Sequence, residues 1–178
     1  MIKTKVTTGI IRLSYFHGWK PVSISGGPER YGTTVLIPKT DIVTLDAINS
    51  AIDAAIEQGF AKFGGKLGSK ASLKLPLRDG DIERDDEAYQ GHYFLNANSR
   101  TAPQIVDRDI KPITDQAEVY SGCYARVSLN FYTYNVNGNR GVAVGLGNVQ
   151  KIRDGVPLDG RSSAKEDFAV EECTDFLD

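Results

Sequence analysis

The residues best equipped for chemistry lie between Cys123 and Tyr134, where strict alternation separates two unlike faces. Cys123, Ala125, Val127, Leu129, Phe131 and Thr133 form one face, nearly all apolar and fit for a core. Tyr124, Arg126, Ser128, Asn130, Tyr132 and Tyr134 form the other. Tyrosines interleaved with an arginine on a wet sheet face offer flat rings to unstacked bases and a guanidinium to phosphate. An ordinary half-exposed strand would use the same residues, because tyrosine favours strands and fills cross-strand pairs.

A second group is basic. Lys62, Lys66, Lys70 and Lys74 recur every fourth residue between Phe60 and Lys74, among Gly64, Gly65 and Gly68, with no acid between them. The glycines predict a mobile loop that follows a phosphate backbone, although a solvated helical face would carry the same lysines. The run has no G-x-x-x-x-G-K-[ST] pattern, which argues against triphosphate hydrolysis.

The acids Asp79, Asp81, Glu83, Asp85, Asp86 and Glu87 raise a metal-dependent nuclease as an alternative, since two-metal sites need closely placed carboxylates. Their spacing does not follow a calcium-binding loop, and a polar surface loop is the simpler expectation. His17 and His92, the only histidines, accompany no G-x-S-x-G or other nucleophile motif, so a stacking or core role is expected of each. Cys123 and Cys173 lie far apart, which leaves no disulfide framework and no clustered zinc site. No catalytic residue, metal or cofactor is expected.

These groups must be held by a scaffold. Thr7 to Phe16 has strand composition, Ser25 to Pro28 reads as a loop, and a short strand follows from Thr33 to Ile37, closed by Pro38. From Asp41 the period changes: Ile42, Leu45, Ile48, Ile52, Ala55 and Ile56 mark one helix, with Thr40 or Asp41 as its cap and Gly59 as its terminator. Strands resume at Gly91 to Ala97 and Cys123 to Tyr134. Asn137-Gly138 is a hairpin signal, with Val142 to Gln150 returning and its glycines marking a bulge or close backbone contact. Five or six short strands and one substantial helix predict a mainly β fold, a small closed or partly closed barrel.

The chain has 178 residues, 40% of them apolar, with 21 Lys+Arg against 23 Asp+Glu, the profile of one soluble globular domain. No apolar run approaches the roughly 20 residues that cross a bilayer, and no secretory segment follows Met1, so a cytoplasmic location is expected. Charge is uneven along the chain. Residues 166–178 hold six acids and no base, leaving a net charge of +4 on residues 1–165. A basic body suits a polyanionic partner, and an acidic block of this kind marks an interaction tail. The expected division is a binding domain over 1–165 and a disordered acidic tail over 166–178.

Several segments together resemble a family of phage-encoded single-stranded DNA-binding proteins. They are Ala88 to Ala97, Pro103 to Asp109, Tyr120 to Arg126, Gly145 to Lys151, Asp154 to Leu158 and Gly160-Arg161. The resemblance is most specific over the second half of the chain. It implies an OB-like barrel that coats single strands in phage replication or recombination without catalysis. It also implies an acidic tail that contacts replication partners and competes with DNA for the basic groove.

The residue-level reading converges with it. Lys62, Lys66, Lys70, Arg100, Arg126 and Arg140 are the expected phosphate contacts, with Tyr124, Tyr132, Tyr134 and Tyr93 as stacking platforms. Phe168, Asp175 and Phe176 are the expected partner-binding residues of the tail. Besides the nuclease, a scaffold protein whose body ignores nucleic acid is the remaining alternative.

Overall fold

A computed structural model describes residues 3–23, 26–64 and 68–158. Its eight strands are β1 (Lys5–Thr7), β2 (Ile11–Val22), β3 (Arg30–Pro38), β4 (Arg78–Asp79), β5 (His92–Ser99), β6 (Ile105–Val106), β7 (Tyr124–Val136) and β8 (Asn139–Arg153). The long helix α1 (Ile42–Lys62) joins β3 to β4, and the single turn α2 (Gly80–Glu83) follows β4. β2, β3, β5, β8 and β7 pair in that order, and β7 pairs back onto β2, closing a five-stranded ring. All contacts in the ring are antiparallel except β5–β8, which is parallel at Asn98 and Gly145. This is the strand order of an OB barrel, with β2, β3, β5, β7 and β8 as its first to fifth strands.

The alternation read along Cys123 to Tyr134 is the alternation observed. Ala125, Val127, Leu129, Phe131 and Thr133 point into the barrel and are almost fully buried, as is Cys123 just before the strand. β8 returns across a two-residue turn, Asn137-Gly138, in which both residues have positive φ, the conformation that matches the twist of a hairpin. The register shifts between the Val127 and Leu129 pairs, where Gly147 sits against the Ser128 side chain. A Cβ at Gly147 would collide there, so its glycine marks both a bulge and a close approach.

Helix α1 lies against β1, β7 and β8 with Leu45, Ile48, Ala51, Ile52, Ala55 and Ile56 buried. Asp41 caps it, its carboxylate accepting from the Thr44 backbone N–H at 3.2 Å and from the Thr44 hydroxyl at 2.6 Å. The expected stop at Gly59 is corrected: Gly59 is a buried interior residue whose carbonyl accepts from the Phe63 N–H, and the helix runs on to Lys62. Burial of Gly59 in the helix interior shows tertiary packing outweighing its low helix propensity.

Asp79 to Glu87 is a surface segment, as expected, but an ordered one comprising β4, α2 and a 3-10 turn at Glu87–Tyr89. Tyr89 from that turn, with Leu36 and Phe94, forms a small apolar cluster on the outside of the barrel, against which Ala88 and Leu158 also pack. After β8 the chain crosses this cluster as a strap over residues 154–158. The Arg12 guanidinium donates to the Val156 carbonyl, the Tyr120 hydroxyl donates to the Gly155 carbonyl, and the Leu158 N–H donates to the Ser121 carbonyl.

Candidate nucleic-acid interface

Two stretches of the barrel's outer surface combine aromatic rings with cations. The first is a cleft of about 440 Å³ over β2, β3 and β5. Its floor follows from register: Gly32 lies opposite Asn98 and Thr34 opposite Asn96, side chains facing outward while Thr33, Val35, Leu95 and Ala97 face the core. The Thr34 hydroxyl donates to Asn96 Oδ1 at 2.6 Å, which leaves the Asn96 amide N–H groups as donors. Gly32 has to be glycine, because a Cβ would collide with Asn98 Oδ1 and the Ala97 carbonyl.

The walls come from a break in β2. Its pairing with β3 shifts between Ser14 and His17, and Tyr15 takes a positive φ of 47°. Bulges re-aim side chains, and a non-glycine residue in this region is strained. Tyr15 stands 61% exposed at the cleft edge, and His17 lines the same wall. Arg30, with Gly27 and Pro28 of the β2–β3 loop, lines the cleft from one side and Arg84 from another. The Arg84 guanidinium lies over the rings of Phe94 and Tyr89, 5.1 and 5.7 Å from their centres. Burial pushes the Tyr89 phenol up, and its hydroxyl meets the Ser14 hydroxyl at 3.2 Å. Among the described residues, neither Arg30 nor Arg84 has a carboxylate in ion-pair distance.

The second stretch is the outer face of β2, β7 and β8. Tyr124 lies opposite Arg12 on one side and Arg153 on the other, and both guanidinium groups sit over its ring, at 5.5 and 4.4 Å from the centre. Arg126, two residues along, is exposed and donates its Nε to the Thr8 carbonyl at 3.0 Å. Tyr132 is 41% exposed farther up β7. Tyr134 lies near the hairpin tip opposite Gly141.

The remaining sequence-predicted residues are dispersed. Arg140 belongs to the hairpin, where its carbonyl accepts from the Lys74 N–H, so the lysine-bearing segment and the hairpin do meet. Lys70 pairs with Asp53 of α1 at 2.6 Å, and Lys62 lies 5.2 Å from the centre of the Phe63 ring. Tyr93 shares the inward register of Leu95 and packs against the core beside α1, with Lys39 over its ring. Arg100 is exposed just beyond the end of β5, two residues past Asn98. Lys66 and the tail residues Phe168, Asp175 and Phe176 lie outside the described residues.

Of the acids considered for a nuclease, Asp79 and Asp81 both bind Lys39, each at 2.7 Å, and Glu83 pairs with Arg78. Asp86 caps the following 3-10 turn through the Ala88 N–H. Among the described residues no three His, Cys, Asp or Glu side chains gather as a metal site would require. His92 has its Nδ1 2.7 Å from the Gln90 carbonyl on the surface. Tyr15, Arg30, Arg84, Asn96 and Asn98 were not singled out by sequence reasoning. The available signal was the alternation of polar Asn96 and Asn98 with apolar Leu95 and Ala97.

Comparison with known proteins gives the arrangement a context. The chain is 32% identical to protein p50 of Acyrthosiphon pisum secondary endosymbiont phage 1 over 97% of its own length and 94% of that protein's. Its fold matches the single-stranded DNA-binding protein from bacteriophage Enc34, solved in complex with ssDNA, with a TM-score of 0.74 at 25% identity, covering 87% of this chain and 89% of that one. The fold of gp2.5, a single-stranded DNA-binding protein encoded by bacteriophage T7, matches with a TM-score of 0.63 at 14% identity, covering 92% and 99% of the two chains. The family model described as the ssDNA-binding protein of Enterobacter phage Enc34 matches residues 4–177, and this chain belongs to that family.

Proposed function

We propose that this protein binds single-stranded DNA with little regard to sequence and coats it during phage replication or recombination in the cytoplasm of the host cell, without catalysing a reaction. The observation that carries this reading is the cleft on β2, β3 and β5. In OB barrels the face of the second and third strands is the one that receives oligonucleotides, and here that face holds Tyr15, His17, Arg30 and the Asn96 and Asn98 amides. Rings stack on any base, and arginines without carboxylate partners meet phosphates, so affinity arises without base readout. Among the described residues no helix is long and apolar enough to cross a membrane. The six acids after Lys165 serve as a tethered polyanion that competes for the basic surface and as a docking segment for replication proteins, with Phe168 and Phe176 as its apolar anchors.

Fluorescence anisotropy with labelled oligo-dT and a duplex of equal length tests the reading. Oligo-dT should bind more tightly, because a duplex hides its base faces. Log affinity should fall linearly with log salt, by about 0.7 per phosphate neutralised. Duplex binding as tight as oligo-dT binding would refute it.

A further inference from the structure

We infer that Arg12, Tyr124, Arg126 and Arg153 form a second phosphate-binding subsite, separate from the cleft, that takes the continuation of the same DNA strand. This rests on the cleft being the primary single-strand site.

Three arginines share one small area. Arg12 faces Tyr124 across the β2–β7 pair, Arg153 faces Tyr124 across the β7–β8 pair, and Arg126 follows two residues along the same outward face. Among the described residues none of the three has a carboxylate in ion-pair distance. The nearby Asp154 is committed to Lys151 at 2.7 Å and accepts from the Tyr120 hydroxyl. Backbone carbonyls take up part of the hydrogen-bonding capacity: Arg12 donates to Gly122 and Val156, and Arg126 to Thr8. Carbonyls orient a guanidinium without neutralising it, so two like charges remain over one ring and a third lies two residues along the same face. Folding alone gains little from such crowding, and an anion with several charges spaced along a chain relieves it.

The position of the patch identifies that chain. Arg12 lies opposite Leu36, and the next outward pair along β2 and β3 is Ser14 with Thr34 of the cleft floor. One outward step along a strand is about 7 Å and one step across is about 5 Å, so the patch begins within one or two nucleotides of the cleft. Between them runs a ridge made by the Tyr89 turn and the 154–158 strap, with Arg84 on its cleft side. A strand leaving the cleft past Arg84 crosses this ridge and meets Arg12 and Arg153 over Tyr124. The patch therefore lengthens the footprint, and the strap sets the direction in which the strand leaves.

The test compares full-length protein with the variant Arg126→Gln/Arg153→Gln, which spares Arg12 because that residue holds the strap. Anisotropy is measured with labelled dT of about 5 and about 20 nucleotides, bracketing the 4 to 16 nucleotides that one OB barrel covers. The variant should lose roughly tenfold more affinity for the long oligonucleotide than for the short one. Its salt slope on the long one should fall by about 1.4, two phosphate contacts at 0.7 each. Equal losses at both lengths, as would follow if the patch instead held the acidic tail away from the cleft, would overturn the subsite. So would no loss at either length, given an unaltered thermal transition. Failure of the wild-type protein to prefer oligo-dT over duplex would overturn the cleft reading itself, and this one with it.

Discussion

Strands β2 and β7 pair with each other and contribute to the two cationic surfaces, yet they are built by opposite means. Over β7 the two-residue period runs unbroken from Tyr124 to Tyr134, so one face is core and the other is surface. Over β2 the period holds only to Ser14; the register then shifts, Tyr15 turns to positive φ, and Gly18 is buried while its neighbours are half-exposed. The regular strand supplies stability on one side and a flat aromatic-basic surface on the other. The broken strand gives up regular pairing and in exchange walls a concave cleft. A bulge bends a strand and re-aims its side chains, and here it sets Tyr15 at the edge of the cleft rather than in the regular alternation.

The largest expected effect tests the regular strand. Phe131 is 1% exposed in the core, and Phe131→Ala should destabilise the protein by about 3 to 5 kcal/mol. Tyr132→Ala, one residue on and facing out, should stay within roughly 1 kcal/mol of wild type. Urea unfolding of both variants measures the contrast. Similar losses in the two would mean that the outward face of β7 carries more packing than its exposure indicates.

This contrast also explains what could be read in advance. Period and propensity wrote out β7, its core face, the Asn137-Gly138 turn and α1 with its Asp41 cap, because each follows from neighbours in the sequence. The cleft could not be found that way. Tyr15, Arg30, Arg84 and Asn96 are brought together by pairing between β2, β3 and β5 and by the segment after α2, and nothing local marks Tyr15 as the residue that bulges. Tyr93 shows the converse. Its composition suited a stacking platform, but the register of β5 with β3 turns it inward against the core. In the lysine run, Lys70 pairs with Asp53, a residue of α1 that only the folded chain brings near it.

An intermediate effect tests the broken strand. A residue held at positive φ without being glycine stores strain of about 1 to 3 kcal/mol, and a ring stacked on a base contributes a similar amount to binding. Tyr15→Gly should therefore move the two properties in opposite directions, raising the unfolding free energy while weakening oligo-dT binding by roughly 5- to 150-fold, the fold-change that corresponds to those stacking energies. Denaturant titration and anisotropy on the same sample decide it. A variant that is less stable and binds as before would assign Tyr15 to packing rather than to DNA.

The smallest effect concerns the segment that borders the cleft and carries Arg84. Lys39, at the end of β3, holds Asp79 and Asp81 at 2.7 Å each, and Asp81 also accepts from the Gly91 N–H at 3.0 Å. The Lys39 ammonium, helped by that N–H, holds the Asp81 carboxyl below the usual carboxylate range, while the two carboxylates raise Lys39 above the usual lysine range. A depressed carboxyl stabilises the fold above its unfolded pKa, and that contribution is lost as pH falls through the folded value. A raised lysine stabilises the fold below its unfolded pKa and loses this as pH rises through the folded value. The bridge is therefore fully effective across neutral pH and fails first on the acid side, below the ordinary carboxylate range. Lys39 and Asp79 are half-buried and Asp81 is exposed, so water and salt screen the pair and the effect is small. Lys39→Met should return the Asp81 carboxyl toward its ordinary pKa in an NMR titration and flatten the acid limb of stability against pH, with the neutral-pH fold retained. An Asp81 titration that is unchanged in the variant would place the origin of its low pKa in the Gly91 N–H alone, and would free the segment bearing Arg84 from any dependence on Lys39.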